Sequence, residues 1–420
     1  MGRYDEAWAR LFERHDLEAR LRAEGHAFLT ADEIRWAGEE PRLMTKFDFP
    51  DSRPQVLRRV GATILAVSNG RYVVIDGDGY GELRRDGAPL TVLDGSALSD
   101  LVTLQFPPAS ESQAIDAAWA CGVLEHFIGE PVRQTIRGRL RAPPFSFTFD
   151  GRARTLGLDV DGVQVEVDGG FEGPSAVYVI EAKMGASNAF MVRQLYYPFR
   201  FWGQRLGGSK PVVPIFMDCA NGEFLFVQYA FEPAERYHGL RPVRSARYTF
   251  ASRAPRPTLA RLWAEARPCD DIPKAPFPQA DRLERVVDVV DAVARGTADQ
   301  MNLALRWGFD PRQADYYANA AAYIGLLTRK GGEWSLTDEG VHLARLQGAD
   351  DRRAHVARCL LRRPALHEAA RLSLEDTSNL EARRFEPVIR SHTKLSETTV
   401  ARRALTVAAW MRTLHEWLPT

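Results

Sequence analysis

The sequence has only four cysteines in 420 residues, Cys121, Cys219, Cys269 and Cys359. Cys121 and Cys219 read as core residues, and no two of the four form a CxxC pair. That spacing excludes a zinc ribbon or a disulfide scaffold and fits a reducing cytoplasm. No stretch approaches ~18 consecutive apolar residues, which excludes a transmembrane helix. The opening MGRYDEAWARLFERHD is charged from the start, so no secretory leader is expected. A G-x-x-x-x-G-K-[ST] loop is missing, so no nucleotide cofactor is expected. The nine histidines show no HExxH spacing, and no G-x-S-x-G elbow occurs. Asp76-Gly-Asp-Gly-Tyr-Gly81 opens like a calcium loop, but its twelfth position is Gly87, which supplies no bidentate ligand. Net charge is lacking too: 55 basic residues cancel 55 acidic ones. Charge must therefore be read locally.

What is present is an ordinary globular balance, 45% hydrophobic and 26% charged, in a chain long enough for two or three domains. Two stretches are locally basic. Residues 241–267 carry seven arginines against one acid, Glu265, and residues 351–412 carry thirteen Lys/Arg against seven Asp/Glu. This asymmetry suits one face that touches phosphate. Three regions are expected. Residues 1–95 read as α+β, with a capping box at Thr30 and Glu33 and strands at Ala62–Val67 and Tyr72–Ile75 around an Asn69-Gly70 turn. Their role is left open between DNA contact and a dimer interface. Residues 96–270 alternate helix and strand. A Pro-rich connector, Ile272–Pro278, precedes a mostly helical region at 279–420.

The most informative stretch runs from Val163 to Trp202. Asp161-Gly162 is a hairpin signal, so residues 155–160 and 163–168 are expected to pair. Val163, Val165 and Val167 alternate onto one face, and Glu166 and Asp168 share the other. A third strand, Ala176–Lys183, sets Glu181 and Lys183 on one face because side chains repeat every two residues. A helix is expected over Asn188–Leu206, carrying Gln194. Two carboxylates and a lysine so arranged suit Mg²⁺, which prefers hard oxygen ligands. Asp168, Glu181 and the Ala182 carbonyl are the candidate ligands, with Lys183 beside the attacking water in phosphodiester hydrolysis. Glu111 opens a further expected helix, Glu111–Phe127. Glu111 or Asp116 there favours the helix N-terminus through the macrodipole. Arg137 and Arg139 are candidate phosphate clamps, and Glu166 is a candidate assistant to the metal.

These segments resemble the PD-(D/E)XK nuclease superfamily, and most closely a bacterial type II restriction endonuclease family. The segments that carry the resemblance are Glu111-Ser-Gln-Ala-Ile-Asp116, Thr135-Ile-Arg-Gly-Arg139, Gln164-Val-Glu-Val-Asp168, Ile180-Glu-Ala-Lys183 and Arg193-Gln-Leu-Tyr-Tyr-Pro198. The resemblance implies an α/β (α+β) restriction-endonuclease-like core with a mixed central sheet. It implies Asp168 and Glu181 as metal ligands, Lys183 as the catalytic lysine and Gln194 as the glutamine of the following helix, with Glu111 as a further candidate for the metal site. Two positions depart from the family pattern. Val167 stands where the superfamily name has proline, and Tyr197 comes one residue before the usual tyrosine position, which Pro198 occupies.

Residues 281–340 read as three helices and a hairpin: Leu283–Val293, Asp299–Trp307, a helix opened by Asp310-Pro311 and closed by Gly325, then Leu327–Lys330 and Trp334–Leu336 around Gly331-Gly332. That order resembles a winged helix-turn-helix. Arg312, Gln313, Tyr316 and Asn319 near the start of the third helix are candidate base readers. A second helix-turn-helix-like half is expected where Ser396 caps a helix carrying Thr399, Arg402 and Arg403. The leading expectation is a bacterial, cytoplasmic, site-specific endonuclease that uses Mg²⁺ (or Mn²⁺) on double-stranded DNA as a homodimer. The alternatives are a repair or methylation-dependent nuclease and a non-catalytic DNA-binding regulator.

Overall fold

The computed structural model describes residues 4–83, 85, 87–95, 101–104, 108–251, 255–269, 275–297, 303 and 311–419. The chain divides into two compact units. The first comprises residues 1–91, 110–218 and 224–247, and the second residues 92–109, 219–223 and 248–420.

The first unit opens with α1 (Asp5–Arg14), α2 (Leu17–Glu24), β1 (His26–Thr30), α3 (Ala31–Trp36), α4 (Pro41–Met44), α5 (Gln55–Val60), β2 (Ala62–Ser68) and β3 (Arg71–Asp76). In α1 the buried residues are Ala7, Trp8, Leu11 and Phe12, a single stripe at helical spacing. They join Ile64 and Val74 of the strands in one core. The expected capping box is present: the Glu33 amide donates to Thr30 Oγ1 at 3.2 Å, and the Thr30 amide to Glu33 Oε2 at 2.6 Å. The three strands form an antiparallel sheet in the order β1-β3-β2. Gly70 (φ +88°) permits the tight β2–β3 turn.

There follow β4 (Tyr80–Glu82), β5 (Leu90–Leu93), α6 (Glu111–Ala120), α7 (Val123–Ile128), β6 (Arg133–Arg141), β7 (Phe145–Asp150), β8 (Thr155–Val160), β9 (Gln164–Glu172), β10 (Val177–Met184), β11 (Ala189–Met191), α8 (Arg193–Leu206), β12 (Val212–Ala220), β13 (Glu223–Phe231) and β14 (Leu240–Phe250). Seven of these strands form one mixed sheet in the order β5-β14-β13-β12-β10-β9-β6. Every residue of β10 is buried, as for a strand covered on both faces. In β9, Val165 and Val167 are buried while Gln164 and Glu166 are exposed, the alternation read from the sequence.

Four expectations need correction. Strands 155–160 and 163–168 both form, but they do not pair with each other. β8 pairs with β7, from Phe145↔Val160 to Asp150↔Thr155, and β9 pairs with β6 and β10. The turn between them is bonded elsewhere: the Asp161 amide donates to the Val67 carbonyl at 2.9 Å and the Gly162 amide to Ala142 at 3.1 Å. It hands the chain from a small sheet to the large one. The helix expected over 111–127 is two helices, because Gly122 adopts φ +70° between them. The helix expected from 188 starts at Arg193. Ala189–Met191 is first taken up as a strand against β4. Finally, Cys121 is only partly buried, unlike Cys219.

The second unit contains α9 (Leu259–Glu265), α10 (Leu283–Ala294), α11 (Pro311–Tyr323), β15 (Leu327–Lys330), β16 (Glu333–Leu336), α12 (Asp338–Arg345), α13 (Ala349–Leu361), α14 (Pro364–Glu375), α15 (Ala382–His392) and α16 (Glu397–Trp417). The β15–β16 hairpin forms as expected, with Lys330↔Glu333 flanking Gly331-Gly332. Both glycines have positive φ, as a two-residue turn of this kind requires. The expected helix Asp299–Trp307 except residue 303, the Asp310 cap and residues 272–274 of the Pro-rich connector lie outside the described residues. Ser396 precedes α16 but makes no capping bond to its backbone. Its hydroxyl lies 3.0 Å from Thr399 Oγ1 instead. At the centre of this unit Arg352 is fully buried. Its guanidinium donates to Asp291 Oδ1 (2.6 Å), Asn221 Oδ1 (3.1 Å) and the Leu343 carbonyl (2.9 Å).

Candidate functional site

Asp168 lies on β9, and Glu181 and Lys183 lie on the neighbouring β10. Antiparallel pairing brings the two strands together through Ile180↔Gly169. The backbone then binds the pair more closely, since the Ala182 amide donates to Asp168 Oδ2 at 3.0 Å. Lys183 Nζ donates to Glu181 Oε1 at 2.5 Å. From the first turn of α8, Gln194 Nε2 donates to the same oxygen at 2.5 Å. Two donors on one carboxylate oxygen fix its rotation.

These side chains open into a cavity of about 430 Å³ in the first unit. Glu111, Glu166 and Arg139 line it with Asp168, Glu181, Lys183 and Gln194. Glu111 sits at the start of α6, whose Ser110 cap accepts the Gln113 amide at 3.3 Å. Among the described residues, no three of the cavity carboxylates offer oxygens within 4.8 Å of one another.

The electrostatics follow from crowding acids in a dry place. Burial pushes the Asp168 carboxyl above its ordinary value, against the pull of Lys183 and the Ala182 amide. Glu111 and Glu166 add to the rise. Glu181 is raised as well, first by burial and then by Asp168, with Lys183 opposing. Burial works against the Lys183 ammonium, yet Glu181, Asp48 and Asp168 outweigh it and hold the lysine above its ordinary value. Two carboxyls that resist ionisation beside one firmly charged lysine make a site that a further cation relieves.

The structure also brings in residues that sequence reasoning missed. Arg42 of α4 and Thr45, Lys46 and Asp48 from the segment between α4 and α5 line the cavity, as do Ser68, Asn69 and Tyr72 around the β2–β3 turn and Arg193. Asp48 Oδ2 lies 3.7 Å from Lys183 Nζ. Nothing in the FDFPD stretch marks Asp48 out, because its partner is far along the chain. Arg193 was within reach of inspection, being the residue next to Gln194.

Other sequence candidates are placed differently. Arg137 pairs with Asp116 at 2.5 Å, so each has a local partner. Arg139 lies 3.4 Å from Glu166, both about half-exposed at the cavity rim. Tyr197 is buried and donates its hydroxyl to the Ala66 carbonyl at 2.8 Å, which ties α8 to β2. In the second unit Arg312, Gln313 and Tyr316 are exposed on α11. Asn319 is turned onto its own helix, donating to the Asp315 carbonyl at 2.8 Å. Arg402 is exposed on α16, while Arg403 is partly buried. Burial, with Arg402 beside it, lowers the Arg403 guanidinium against a contribution from Tyr316. The ends of α11 and α16 that carry the two candidate sets therefore share an electrostatic neighbourhood.

Among the described residues, Glu339, His355 and Cys359 gather ligand atoms within 4.8 Å of one another. Their polar atoms are already engaged. His355 Nε2 lies 3.0 Å from the Glu339 carbonyl oxygen, and Arg362 donates to Glu339 Oε1 at 2.7 Å. Burial pushes the Cys359 thiol up to about 12. Nitrogen and sulfur donors also do not suit Mg²⁺.

Three family profiles match the chain, and each is described only as a domain of unknown function: DUF6996 over residues 5–74, DUF6997 over residues 79–249 and DUF7226 over residues 285–418. The search of curated proteins and the search of solved structures each returned no match. The cavity draws on two of these segments, with Asp48 in the first and Glu111, Glu166, Asp168 and Glu181 in the second.

Proposed function

We propose that the chain is a divalent-metal-dependent endonuclease of the PD-(D/E)XK type, acting on double-stranded DNA in the manner of a type II restriction enzyme. The observation that carries this reading is the gathering of Asp168, Glu181, Lys183, Gln194 and Glu111 around one cavity, from β9, β10, α8 and α6. The finer fold follows with it: a restriction-endonuclease-like core in the first unit and a winged helix-turn-helix in the second, with β15–β16 as the wing.

The donor set fits Mg²⁺. The available ligands are hard oxygens, and the buried Glu181 and half-buried Asp168 carboxyls are both held above their ordinary values, so a cation there relieves an existing strain. Five acids and five bases line the cavity; a phosphodiester entering it adds negative charge and calls for another cation. Asp168, Glu181 and the Ala182 carbonyl would hold Mg²⁺, which would supply Lewis-acid stabilisation of charge developing on the phosphate. The chain's own groups do the rest. Lys183 Nζ, with three donors, orients the attacking water and faces the phosphate. Gln194 fixes the Glu181 oxygen that Lys183 also holds. Arg42, Lys46, Arg139 and Arg193 offer charge to flanking phosphates. Each site cuts one strand, so a palindromic target calls for a homodimer.

The test is incubation of the purified chain with unmethylated and methylated phage DNA, in Mg²⁺ or in EDTA. Discrete, Mg²⁺-dependent fragments are expected, and their loss in Asp168→Ala. Cleavage undiminished in both Asp168→Ala and Lys183→Ala would refute the assignment. Binding without cleavage would favour a DNA-binding regulator.

A further inference from the structure

We infer that the segment Thr45–Asp48 is part of the catalytic apparatus, with Asp48 as the positioning residue of Lys183; this rests on the nuclease reading above. A lysine side chain is a flexible four-carbon stem ending in a point charge, and ordering it costs up to ~2 kcal/mol of rotamer freedom. One carboxylate alone draws the ammonium down onto itself. Here Glu181 Oε1 holds Nζ at 2.5 Å from one side, while Asp48 Oδ2 stands 3.7 Å away on another. With a second carboxylate beside it, the ammonium that contacts Glu181 is restrained more than one pair alone would restrain it, and it stays within reach of the 45–48 segment.

Asp48 is itself held by the elements that carry the rest of the site. Its carbonyl accepts the Met191 amide at 3.1 Å, and Met191 lies just before α8, the helix of Gln194. The preceding Phe47 is buried, and its carbonyl accepts the Tyr80 hydroxyl at 2.7 Å. The Asp48 side chain keeps a second oxygen, Oδ1, that is buried with no hydrogen-bond partner. An unsatisfied buried acceptor ordinarily costs about 1–3 kcal/mol. A chain that needed Asp48 only to fasten the segment would satisfy that oxygen locally. An acid retained half-satisfied beside a lysine, on a cavity wall, matches a group kept for its charge and direction. Arg42, Thr45 and Lys46 line the same wall. The N-terminal region thereby acquires a role as one side of the cleft rather than an appended arm.

The experiment uses the full chain as wild type, Asp48→Asn, Asp48→Glu and Lys46→Ala. It measures kcat and KM for Mg²⁺-dependent DNA cleavage, Mn²⁺ binding by calorimetry and thermal unfolding. Asp48→Asn is expected to lower kcat by about 10–100-fold, as loss of an outer-shell partner does. KM and Mn²⁺ affinity should stay near the wild-type values, because Asp48 is not among the proposed metal ligands and acts through Lys183. Asp48→Glu should recover most of the loss, and Lys46→Ala should act on KM. Unchanged kcat in Asp48→Asn, a loss carried by KM, no recovery in Asp48→Glu, or a loss explained by unfolding would each overturn the role of Asp48 while leaving the nuclease reading intact. A wild-type chain that cleaves no DNA with metal would instead overturn the nuclease reading, and this inference with it.

Discussion

Replacing Lys183 by alanine separates two roles that most active-site substitutions confound. The ammonium is nearly buried and holds Glu181 Oε1 at 2.5 Å, with Asp48 at 3.7 Å. Removing one partner of a buried ion pair costs about 3–5 kcal/mol, because the other charge is left uncompensated. In this site the cost depends on pH. Lys183 lowers the Glu181 carboxyl, which burial otherwise raises above its ordinary 4.5. Without the lysine it rises further, and the folded variant binds a proton that the unfolded chain releases above about pH 4.5. The folded pKa is raised, so this contribution is complete at low pH and fades as pH climbs toward the folded value, by at most about 1.4 kcal/mol per unit. The wild-type carboxyl is itself held up to about 8, so the two proteins lose stability alike below that pH. Urea unfolding of Lys183→Ala should therefore differ little from wild type near pH 5, and the loss should grow above about pH 8 by at most about 1.4 kcal/mol per unit. The same logic gives an opposite sign for metal. The variant has lost the cation that competed with Mg²⁺ while keeping the carboxylates, so Mg²⁺ should stabilise it at least as much as it stabilises the wild type. Cleavage should fall by a factor on the order of 10³, as for loss of a principal electrostatic group. Asp168→Ala should lose cleavage and Mg²⁺ stabilisation together. If Lys183→Ala cleaved DNA normally, or lost Mg²⁺ stabilisation while remaining folded, the reasoning would be refuted.

Other expectations follow from the same coordinates. Because burial holds the Glu181 carboxyl up to about 8, Mg²⁺ binding to it displaces a proton; its affinity by titration calorimetry should tighten from about pH 6 to about pH 8 with proton release, and a pH-independent affinity would argue against this ligand. Arg352→Ala should destabilise the second unit by about 3–5 kcal/mol, since Asp291 loses its 2.6 Å partner in a buried setting; a shift below about 1 kcal/mol in urea unfolding would contradict it. Gly170→Ala should destabilise by about 1–3 kcal/mol, because a Cβ there meets Ile136 Cβ at 2.6 Å. Gly157→Ala, where nothing lies within 4 Å, is the matched control and should leave the melting temperature unchanged.

Local physics accounts for what was legible. The Thr30–Glu33 capping box, the Asn69-Gly70 and Gly331-Gly332 turns and the alternation of β9 are set by residues within four positions of one another, and each appears in the fold. Strand pairing was less accessible. Asp161-Gly162 has the chemistry of a hairpin turn, yet its amides bond to Val67 and Ala142, and no local rule names those partners. The start of α8 was misjudged for the same reason: Ala189–Met191 has a strand partner in β4, more than a hundred residues earlier.

For the candidate site, the sequence by itself determined the spacing that sets Glu181 and Lys183 on one face of β10 and Asp168 on the face of β9 opposite Val165 and Val167. A strand's two-residue period makes such placement a local matter. The sequence also placed Gln194 on the helix that follows, though it did not set where that helix begins. Only the tertiary structure decided that Gln194 and Lys183 share a single oxygen of Glu181. It alone decided that Tyr197 is a tie to Ala66, and that the wall facing the acids comes from residues 42–72. The contacts that Gln194 and Asp48 make here join positions 13 and 135 residues apart. They exist because the central strand is buried on both faces, so that whatever packs over its charged end becomes part of the site.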